Sequence, residues 1–441
     1  MVMRNFHFQT ALLPEGWADD VVIAVEDGVI VDMGVGGPCP PFTDRLAGVA
    51  VPGFANLHSH AHQRAMAGLT ERSGSGEDSF WTWRETMYRA VMAISPDDLQ
   101  VIATQAFIEM LQGGYTHVAE FHYLHHAPDG RPYADPAEMS KRLIAAAHAT
   151  GIGLTLLPVL YAASGFDGAP PNAGQRRFAC DLDGFAAIRA GLPDSTGIAP
   201  HSLRAVPAKV LARALEGVTG PVHIHIAEQR REVEECLAAW GARPVAWLLD
   251  HAAIDARWCL VHATHVDPAE VAGMAASGVT VGLCPTTEAD LGDGVFPAAA
   301  FQQAGGRFGV GSDSQVSASP FEELRLLEWG QRLISGRRTV LAGGPDRSTG
   351  RTLVEAAATG GAIACGVQTG AIEVGMRADV TVLARGAGDA AIDSAVFAPR
   401  GNPVQHVLSC GECVVRDGQH RLGAVAAAQF ERVMQRLRGT V

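Results

Sequence analysis

The chain has 441 residues, of which 47% are hydrophobic and 18% are charged. This composition predicts a packed globular protein and excludes a disordered one, and the length allows one large domain with a smaller module. The formal net charge of -13 and the absence of a basic stripe argue against nucleic acid as a partner.

The N-terminal segment and the cysteines indicate the cellular compartment. The first residues contain no continuous apolar run of the signal-peptide kind, and no segment has the roughly 18 consecutive apolar residues of a membrane span. The eight cysteines are scattered, which is typical of reduced core thiols. Cys410 and Cys413 have metal-site spacing, but the missing second pair disfavours that role. We therefore expect a cytoplasmic protein with no membrane partner.

The two ends of the chain predict one small β-sandwich domain, formed by residues 1–51 and 366–441. The N-terminal end contains valine- and isoleucine-rich strands around a hairpin signal at Asp27-Gly28. The C-terminal end repeats this pattern, with a second turn predicted at Gly411-Glu412.

Residues 52–365 alternate apolar, strand-like segments with helical ones, which is the signature of βα units. Eight strand candidates predict an α/β fold, a (β/α)₈ TIM-like barrel. One helix is predicted to end at Gly113-Gly114, and an insertion rich in aromatic residues is predicted at 61–95. The eight strand candidates are VAVPGFANLH, THVAEFHY, GLTLLPVLY, TGIAPHSL, PVHIHIAE, WCLVHATH, VTVGLCP and RFGVGSD.

Two histidines, His58 and His60, follow the first strand candidate. Residues two apart on a strand face the same side, so both imidazoles can reach one metal ion at the barrel mouth. The carboxyl ends of the strands form that mouth, where the active sites of such barrels lie. Two hydrogen-bonded core histidines are the alternative for this short motif taken alone. The apolar strand with its Pro-Gly approach favours the metal site.

Three more strand candidates end in polar residues: His223, His225 and Glu228 on one, His262 and Asp313 on two others. Three neutral imidazoles and one carboxylate suit Zn²⁺ and leave one coordination position for water. Such an ion acidifies its water, and a carboxylate with a histidine can then shuttle protons, a task that fits Glu228 and His262. A helix-start carboxylate is the alternative for Glu228. His223 is an alternative ligand to His225, although the spacing to Glu228 favours His225.

The segments VPGFANLHSHAHQRAMAG, HIHIAE, CLVHATH and GVGSDS occur in the order of the mononuclear deaminase branch of the amidohydrolase superfamily. The chain resembles that branch over essentially its whole length. The segments DSFWTWRETMYR, AEFHYLHH, PHSLRAV and TEADLGDGVFP are similar to those of N-formimino-L-glutamate deiminases, which act in bacterial histidine degradation. The resemblance implies hydrolysis of a small dicarboxylate substrate to N-formyl-L-glutamate and ammonia. It implies one divalent metal ion per subunit, expected to be Zn²⁺, and a homodimer is common among such barrels.

The resemblance also implies roles for individual residues. Glu228 and His262 would be the proton-transfer pair, and Asp313 would also take a proton from the bound water. Arg84 and Arg204 suit a dicarboxylate because guanidinium groups bind carboxylates bidentately. The implied zinc ligands are His58, His60, His225 and Asp313. The implied substrate-binding residues are Gln63, Arg84, Tyr123, His201 and Arg204.

Several histidines are not needed for this site. His62 departs from the apolar residue of the relatives, and is either a loop histidine or one that changes the substrate pocket. His265 is expected in a loop, and His122, His125 and His126 are expected at the rim. No lysine ends a barrel strand candidate, which argues against a carbamylated binuclear site and favours one metal ion.

Two other functions compete with this interpretation. Deamination of a heterocycle, such as guanine or an adenosine derivative, would use the same metal ligands and an aromatic pocket, for which Phe80, Trp81 and Trp83 are candidates. A non-catalytic, metal-stabilised barrel would have lost a proton-transfer residue. Because Glu228 and His262 are both present, the enzyme is favoured.

Overall fold

The computed structural model describes residues 3–71, 79–193, 196–344 and 347–438. Its strands fall into a terminal set and a central set. The terminal strands are β1 (Arg4–Leu13), β2 (Gly16–Glu26), β3 (Val29–Val35), β4 (Asp44–Pro52), β13 (Val380–Leu383), β14 (Val404–Ser409), β15 (Glu412–Arg416) and β16 (Gln419–His420). The central strands are β5 (Phe54–Ser59), β6 (Tyr115–His122), β7 (Gly153–Leu160), β8 (Ala199–Pro200), β9 (Val222–Ile226), β10 (Trp258–His262), β11 (Thr280–Leu283) and β12 (Arg307–Val310).

The small domain predicted from the chain ends is confirmed. Its strands form one continuous hydrogen-bonded sheet in the order β16-β15-β14-β13-β4-β1-β2-β3. Alternate residues of β1 and β2, such as Phe6, Phe8 and Ile23, face one side of this sheet and form a separate hydrophobic core with Val380 of β13. The N- and C-terminal segments therefore fold together, although more than 300 residues separate them.

Two hairpin turns of this sheet show how local residue chemistry sets the register. Asp27 and Gly28 make the predicted first turn, and both have positive φ angles, 48° and 80°, as a two-residue hairpin requires. The prediction for the second turn is wrong by one residue. Cys410 and Gly411 make it, with φ angles of 50° and 73°, because glycine reaches positive φ without strain at the second turn position. Glu412 already begins β15.

The central strands form the predicted (β/α)₈ barrel, and that prediction is confirmed. Strands β5 to β8 and β9 to β12 form two parallel arcs of four strands. Bridges between Ile198 and Val222 and between Ser59 and Asp313 join the arcs at both seams and close the barrel. Each of the eight strand candidates overlaps one barrel strand, and the first candidate also contains the end of β4, from which Gly53 separates β5.

Helices connect the barrel strands and surround them. The predicted helix end is confirmed, because Gly114 caps it with a left-handed φ of 111°. The predicted insertion contains a 3₁₀ turn at Ala61–Ala65 and α1, and its residues 72–78 lie outside the described ranges. The helices are α1 (Phe80–Val91), α2 (Pro96–Gly113), α3 (Glu138–Thr150), α4 (Leu182–Ala190), α5 (Ala208–Ala214), α6 (Arg230–Trp240), α7 (Pro244–His251), α8 (Pro268–Ser277), α9 (Pro285–Asp290), α10 (Ala298–Gln303), α11 (Pro320–Ser335), α12 (Thr349–Cys365), α13 (Gly388–Phe397) and α14 (Gly423–Arg438).

Two helices of the C-terminal segment pack against barrel helices. Arg436 of α14 pairs with Asp98 at the start of α2, and the Arg332 guanidinium of α11 lies 5.0 Å from the Phe397 ring of α13. The domain bounds 1–51 with 366–441 and 52–365 stay a prediction. Within the described ranges, no helix combines the length and the apolar character needed to cross a bilayer.

Candidate active site and metal centre

Histidines and one aspartate converge at the carboxyl end of the barrel. His58 lies on β5, and its Nε2 is 3.0 Å from the Nε2 of His225 on β9. Asp313 follows β12, and its Oδ1 lies 3.5 Å from His58 Nε2 and 3.3 Å from His60 Nε2. All four side chains are buried. The structure therefore brings together the four residues that the sequence predicts as metal ligands.

Backbone carbonyl groups orient two of these imidazoles. His60 Nδ1 donates to the Phe121 carbonyl at 2.9 Å, and His225 Nδ1 donates to the His201 carbonyl at 3.0 Å. Because a carbonyl only accepts, each Nδ1 carries the proton and each Nε2 presents its lone pair to the centre of the cluster. Metal-binding histidines are held in the same way.

Burial gives the cluster the charge state that metal binding needs. It lowers the pKa of His58 to about 3 and lowers the pKa values of His60 and His225 as well. Burial opposes ionisation of Asp313, but the hydrogen bond from His58 and the positive charge of nearby His262 outweigh it and hold the Asp313 pKa well below its ordinary value. Three neutral imidazoles therefore face one carboxylate, the ligand forms that a divalent ion requires.

The donor atoms fit an ion of the zinc type. Nitrogen and oxygen ligands of this kind and number are those of zinc sites with one open position. Within the described residues, three groups have donor atoms that all lie within 4.8 Å of one another, and every predicted ligand belongs to at least one group. The groups are His58 with His225 and His262, His58 with His60 and Asp313, and His262 with Cys284 and Asp313.

Two further members of these groups are poor ligands because they hold protons. Burial raises the pKa of the Cys284 thiol well above its ordinary value, and the thiol form is a weak ligand. Neighbouring carboxylates, Glu228 first among them, raise the pKa of His262 as well, against the effect of burial. The two lysines of the chain, Lys141 and Lys209, are exposed on α3 and α5, so neither can bridge a second ion here.

The structure distinguishes the two histidines of β9. His223 faces the same side of the strand as His225, but it lies two residues earlier and therefore about 7 Å deeper in the barrel. Its Nε2 hydrogen-bonds the Ala364 carbonyl at 2.8 Å, at the end of α12. Of the two, only His225 contacts the other metal-ligand candidates.

Glu228 and His262 face each other beside the ligand cluster. His262 Nε2 lies 3.7 Å from Glu228 Oε1 and 3.7 Å from Asp313 Oδ2. Burial raises the pKa of Glu228, against the opposing effect of His262 and Arg204. Burial lowers the pKa of His262, but Glu228, Glu288 and Asp313 outweigh it and raise that pKa. The pair can therefore hold a proton and give it to a reacting atom in the cavity.

The backbone is strained where these strands end. Ala227, His262, Ala263 and Asp313 have φ angles of 50°, 68°, 48° and 43°, in a region that residues with a Cβ rarely adopt. Such strain persists only where the surrounding structure enforces it, and it concentrates at functional sites.

A cavity opens over the cluster, and the aromatic residues Phe80 and Trp83 form part of its wall. Gln63 donates to the Tyr123 hydroxyl at 2.7 Å, which fixes two polar groups at the cavity surface. All five residues predicted to bind substrate line this cavity. They are Gln63, Arg84, Tyr123, His201 and Arg204.

Two arginines reach the cavity from different elements. Arg84 lies on α1, Arg204 follows β8, and their guanidinium carbons are 4.6 Å and 5.7 Å from the ring centroid of Trp81. The Nε atoms of both arginines are buried and have no hydrogen-bond partner among the described residues. Arg204 also forms an ion pair with the buried Glu232, whose Oε2 lies 4.0 Å from its Nε. Both guanidinium groups line the cavity and can bind a carboxylate there.

Three histidines predicted at the rim are buried instead, so that prediction is wrong. His125 and His126 hydrogen-bond the carbonyls of Val159 and Ala179, and His122 is fully buried. They are buried because another segment of the chain packs over them. The backbone amides of His125 and His126 both donate to the carbonyl of Arg177, a fully buried residue of that segment.

The other unassigned histidines lie beside the site. His62 is buried in the 3₁₀ turn, with its ring centroid 4.8 Å from that of Tyr123, so it contacts a residue that lines the cavity. His265 lies in the loop after β10, as predicted, and its amide donates to the Ala227 carbonyl.

Sequence reasoning missed Glu288, whose Oε1 lies 3.3 Å from His262 Nδ1. Glu288 follows the seventh strand candidate, so the rule that polar residues beyond barrel strands reach the mouth applies to it as well. Tyr161, which ends the third candidate, also lines the cavity. Neither residue has a role in the prediction from sequence.

A closed (β/α)₈ barrel with imidazole and carboxylate groups at its mouth, and a small sheet made from both chain ends, defines a class of metal-dependent hydrolases. Residues 49–414 match the model of the amidohydrolase family, and the chain belongs to that family. It is a hydrolase that acts on C–N bonds.

More specific comparisons confirm the predicted resemblance. Residues 3–40 match the model described as formimidoylglutamate deiminase HutF, N-terminal domain. Formimidoylglutamate deiminase from Pseudomonas aeruginosa is 51% identical over 452 residues, which cover 99% of this chain and 100% of that protein.

Solved structures show the same architecture. An amidohydrolase from Brucella melitensis has 46% sequence identity and a TM-score of 0.94, with coverage of 98% of this chain and 99% of the other. An adenosine deaminase from Xanthomonas campestris, solved with bound zinc, has a TM-score of 0.81 at 22% identity, with coverage of 99% and 98%. The second likeness shows the fold alone.

Proposed function

We propose that the protein hydrolyses N-formimino-L-glutamate to N-formyl-L-glutamate and ammonia. The observation that carries this proposal is that Arg84 and Arg204 line the same cavity as Glu228 and His262. The substrate has one amidine carbon to be hydrolysed and two carboxylates that guanidinium groups can bind. The 51% identity with formimidoylglutamate deiminase supports the same substrate.

His58, His60, His225 and Asp313 would hold one zinc ion per subunit, as their donor atoms and protonation states fit it. When bound, such an ion supplies a water that ionises near neutral pH and an electrophile that polarises the amidine. The two carbonyl-bound Nδ1 atoms of His60 and His225 keep the ligand nitrogens directed inward.

The protein groups then move protons around the formimino carbon. Asp313 accepts a proton from the attacking water as the new C–O bond forms. Glu228 and His262 deliver protons to the terminal nitrogen, and the C–N bond to that nitrogen breaks. One water is consumed, ammonia leaves, and the oxygen stays on the carbon as the formyl group.

Recognition of the substrate depends on the other polar residues of the cavity. Arg84 and Arg204 bind the two carboxylates, and Gln63, Tyr123 and His201 line the same cavity. Arg204 has one carboxylate partner, Glu232 at 4.0 Å, and Arg84 has none among the described residues. Because a half-buried cation without a partner is costly, an anionic ligand in this cavity is favoured over a neutral one.

Heterocycle deamination is the second candidate, since Phe80 and Trp83 give the cavity an aromatic wall. A 5-methylthioadenosine/S-adenosylhomocysteine deaminase from Natronomonas pharaonis is 25% identical, with coverage of 93% of this chain and 92% of that protein. A neutral heterocycle would leave Arg84, which has no carboxylate partner among the described residues, without an anionic one, which is why we favour the dicarboxylate.

Ammonia release by the zinc-loaded protein tests both candidates. N-formimino-L-glutamate, guanine, cytosine and an adenosine derivative are compared in parallel, and chelator-treated protein is the control. Turnover of the formimino compound alone, lost with the chelator and restored by zinc, is expected. Turnover of a heterocycle alone would overturn the proposed substrate and keep the reaction class.

We further propose a place in histidine degradation, a homodimeric state and a cytoplasmic location. The first follows from the proposed substrate, and the other two stay predictions. Light scattering of the purified protein tests the dimer, and a single mass near 46.3 kDa would contradict it.

A further inference from the structure

Glu288 occupies a fixed position behind the proton-transfer pair. It lies on the short helix α9, just beyond β11, and only 4% of its surface is exposed. Its backbone amide donates to the Cys284 carbonyl at 2.9 Å, and its own carbonyl accepts from the Asp293 amide at 2.9 Å. Hydrogen bonds to residues before and after Glu288 therefore fix its backbone.

One carboxylate oxygen of Glu288 lies within hydrogen-bond distance of two donors. Oε1 accepts from the Cys284 backbone amide at 2.9 Å and lies 3.3 Å from His262 Nδ1. Since a carboxylate oxygen only accepts, the contact with His262 requires the proton of the imidazole to be on Nδ1.

This contact determines what the other ring nitrogen can do. With Nδ1 bound to Glu288, His262 Nε2 points toward Glu228 Oε1 and Asp313 Oδ2, each at 3.7 Å. Rotation of the ring or a proton on Nε2 alone would break this arrangement. A carboxylate that orients an imidazole in this way is a known device for fixing the tautomer of a proton-transfer histidine.

We propose that Glu288 is a positioning residue for the hydrolysis, acting through His262 by holding its Nδ1 proton and its ring orientation. The inference rests on the proposed function only where turnover is measured. A structural role, namely capping α9 through the Cys284 amide, is the competing explanation for the same carboxylate.

Glu323 provides a matched control for that structural role. It is also buried, and its carboxylate accepts from the backbone amide of Thr286 at 2.9 Å and from its hydroxyl at 2.6 Å, at the start of the same helix. No hydrogen bond or ion pair joins Glu323 to His262 among the described residues. Removing either carboxylate takes a hydrogen-bond partner from a backbone amide at the start of α9, but only Glu288 contacts His262.

Steady-state ammonia release is measured for Glu288→Ala, Glu288→Gln and Glu323→Ala. Loss of an orienting partner of this kind costs about 10- to 100-fold in activity. We therefore expect kcat to fall about 100-fold in Glu288→Ala and about 10-fold in Glu288→Gln, whose amide oxygen still accepts. KM should stay within about threefold, and Glu323→Ala should keep kcat within about threefold. Equal losses in Glu288→Ala and Glu323→Ala, or none in either, would overturn the proposal.

A double-mutant cycle with His262→Ala tests whether Glu288 acts through the imidazole. Once the ring is absent, Glu288→Ala should cause no further loss of kcat. Independent, multiplicative losses would contradict a positioning role.

Proton NMR provides a readout that does not depend on turnover. A slowly exchanging downfield imidazole N–H signal, assigned by its loss in His262→Ala, is expected in the wild type and absent in Glu288→Ala. Its absence from the wild type would overturn the inference about Glu288 whatever the activity. A wild type that shows this signal but turns over no substrate would instead overturn the proposed function.

Discussion

At the scale of single residues, the pKa of each buried ionisable group of the site depends on the charged groups around it. Glu228 and His262 are both buried and 3.7 Å apart at their nearest atoms. Burial alone would favour the neutral form of each, yet the surrounding carboxylates favour the charged form of His262. The Glu228–His262 pair therefore holds a proton beside the metal-ligand candidates, where solvent does not reach it.

Replacing Glu228 by glutamine should abolish proton transfer without emptying the metal site. We expect kcat to fall by about 10²- to 10⁴-fold, the usual contribution of a general acid or base. Zinc content, measured by atomic emission, should stay the same. Glu234→Gln, an exposed position on α6, is the control and should have wild-type activity. Full activity of Glu228→Gln would remove Glu228 from the mechanism.

Replacing Arg204 or Arg84 by methionine should weaken recognition of carboxylates. We expect kcat/KM for N-formimino-L-glutamate to fall by about 10- to 100-fold, as loss of a charged hydrogen bond costs about 1.5–3 kcal/mol. Arg231 also lies over the Trp81 ring, 4.4 Å from it, but it is exposed and pairs with Glu235. Arg231→Met should therefore cost little. An equal loss toward a neutral amidine in the Arg204 and Arg84 variants would contradict carboxylate binding.

At the scale of elements, α12 packs against the barrel through two glycines. A Cβ at Gly360 would overlap the Phe308 carbonyl of β12, and one at Gly361 would overlap the Ala55 carbonyl of β5. These two strands carry or precede metal-ligand candidates, and they meet at a seam of the barrel. The close approach of α12 therefore helps to fix the positions of β5 and β12, and with them the metal-ligand candidates at the ends of these strands.

Gly360→Ala should destabilise the protein even though alanine favours helices. Overpacking costs about 1–3 kcal/mol, which exceeds the gain of about 1 kcal/mol in helix propensity. Urea denaturation followed by circular dichroism measures the free energy of unfolding. Gly330→Ala on α11 is the control, because its Cβ would meet only the exposed Val295 side chain, at 3.3 Å. Its stability should stay the same or rise, and an unchanged stability of Gly360→Ala would refute the packing argument.

At the scale of the whole molecule, the metal-ligand candidates join both arcs of the barrel. His58 and His60 belong to the arc that starts at β5, and His225 and Asp313 belong to the arc that ends after β12. An ion bound by all four would therefore stabilise the closed barrel against unfolding.

Removal of zinc should lower the melting temperature. At a free zinc concentration about 1,000 times the dissociation constant, binding adds about 4 kcal/mol to the free energy of unfolding. Thermal denaturation of zinc-loaded and chelator-treated protein measures the difference. His225→Asn should abolish it, whereas His223→Asn, on the same strand but deeper in the barrel, should retain it. The same melting temperature with and without zinc would contradict the predicted site.

Most of the barrel could be predicted because each strand is recognisable from a short apolar segment that ends in polar residues. The segment that ends in His58 and the segment that ends in Asp313 lie far apart in sequence, yet parallel strands place all their carboxyl ends at one mouth. That rule predicts the cluster without any knowledge of side-chain contacts. It does not distinguish His223 from His225, because both face the barrel interior and only their depth differs.

Contacts between distant segments could not be predicted in this way. The segment around Arg177 covers His125 and His126, so residues expected at the rim are buried. Glu288 meets His262 across two neighbouring strands, at a distance that depends on their register.

Local pattern thus determined which residues end the barrel strands and which of them carry metal-binding or proton-transfer chemistry, because strand periodicity and residue type act over a few positions. Only the tertiary structure decided the depth of each histidine, the partner of His262 and the common cavity of Arg84 and Arg204. These properties depend on strand register and on the packing of α1 over the barrel mouth, and both are set by contacts between segments that are far apart in the chain.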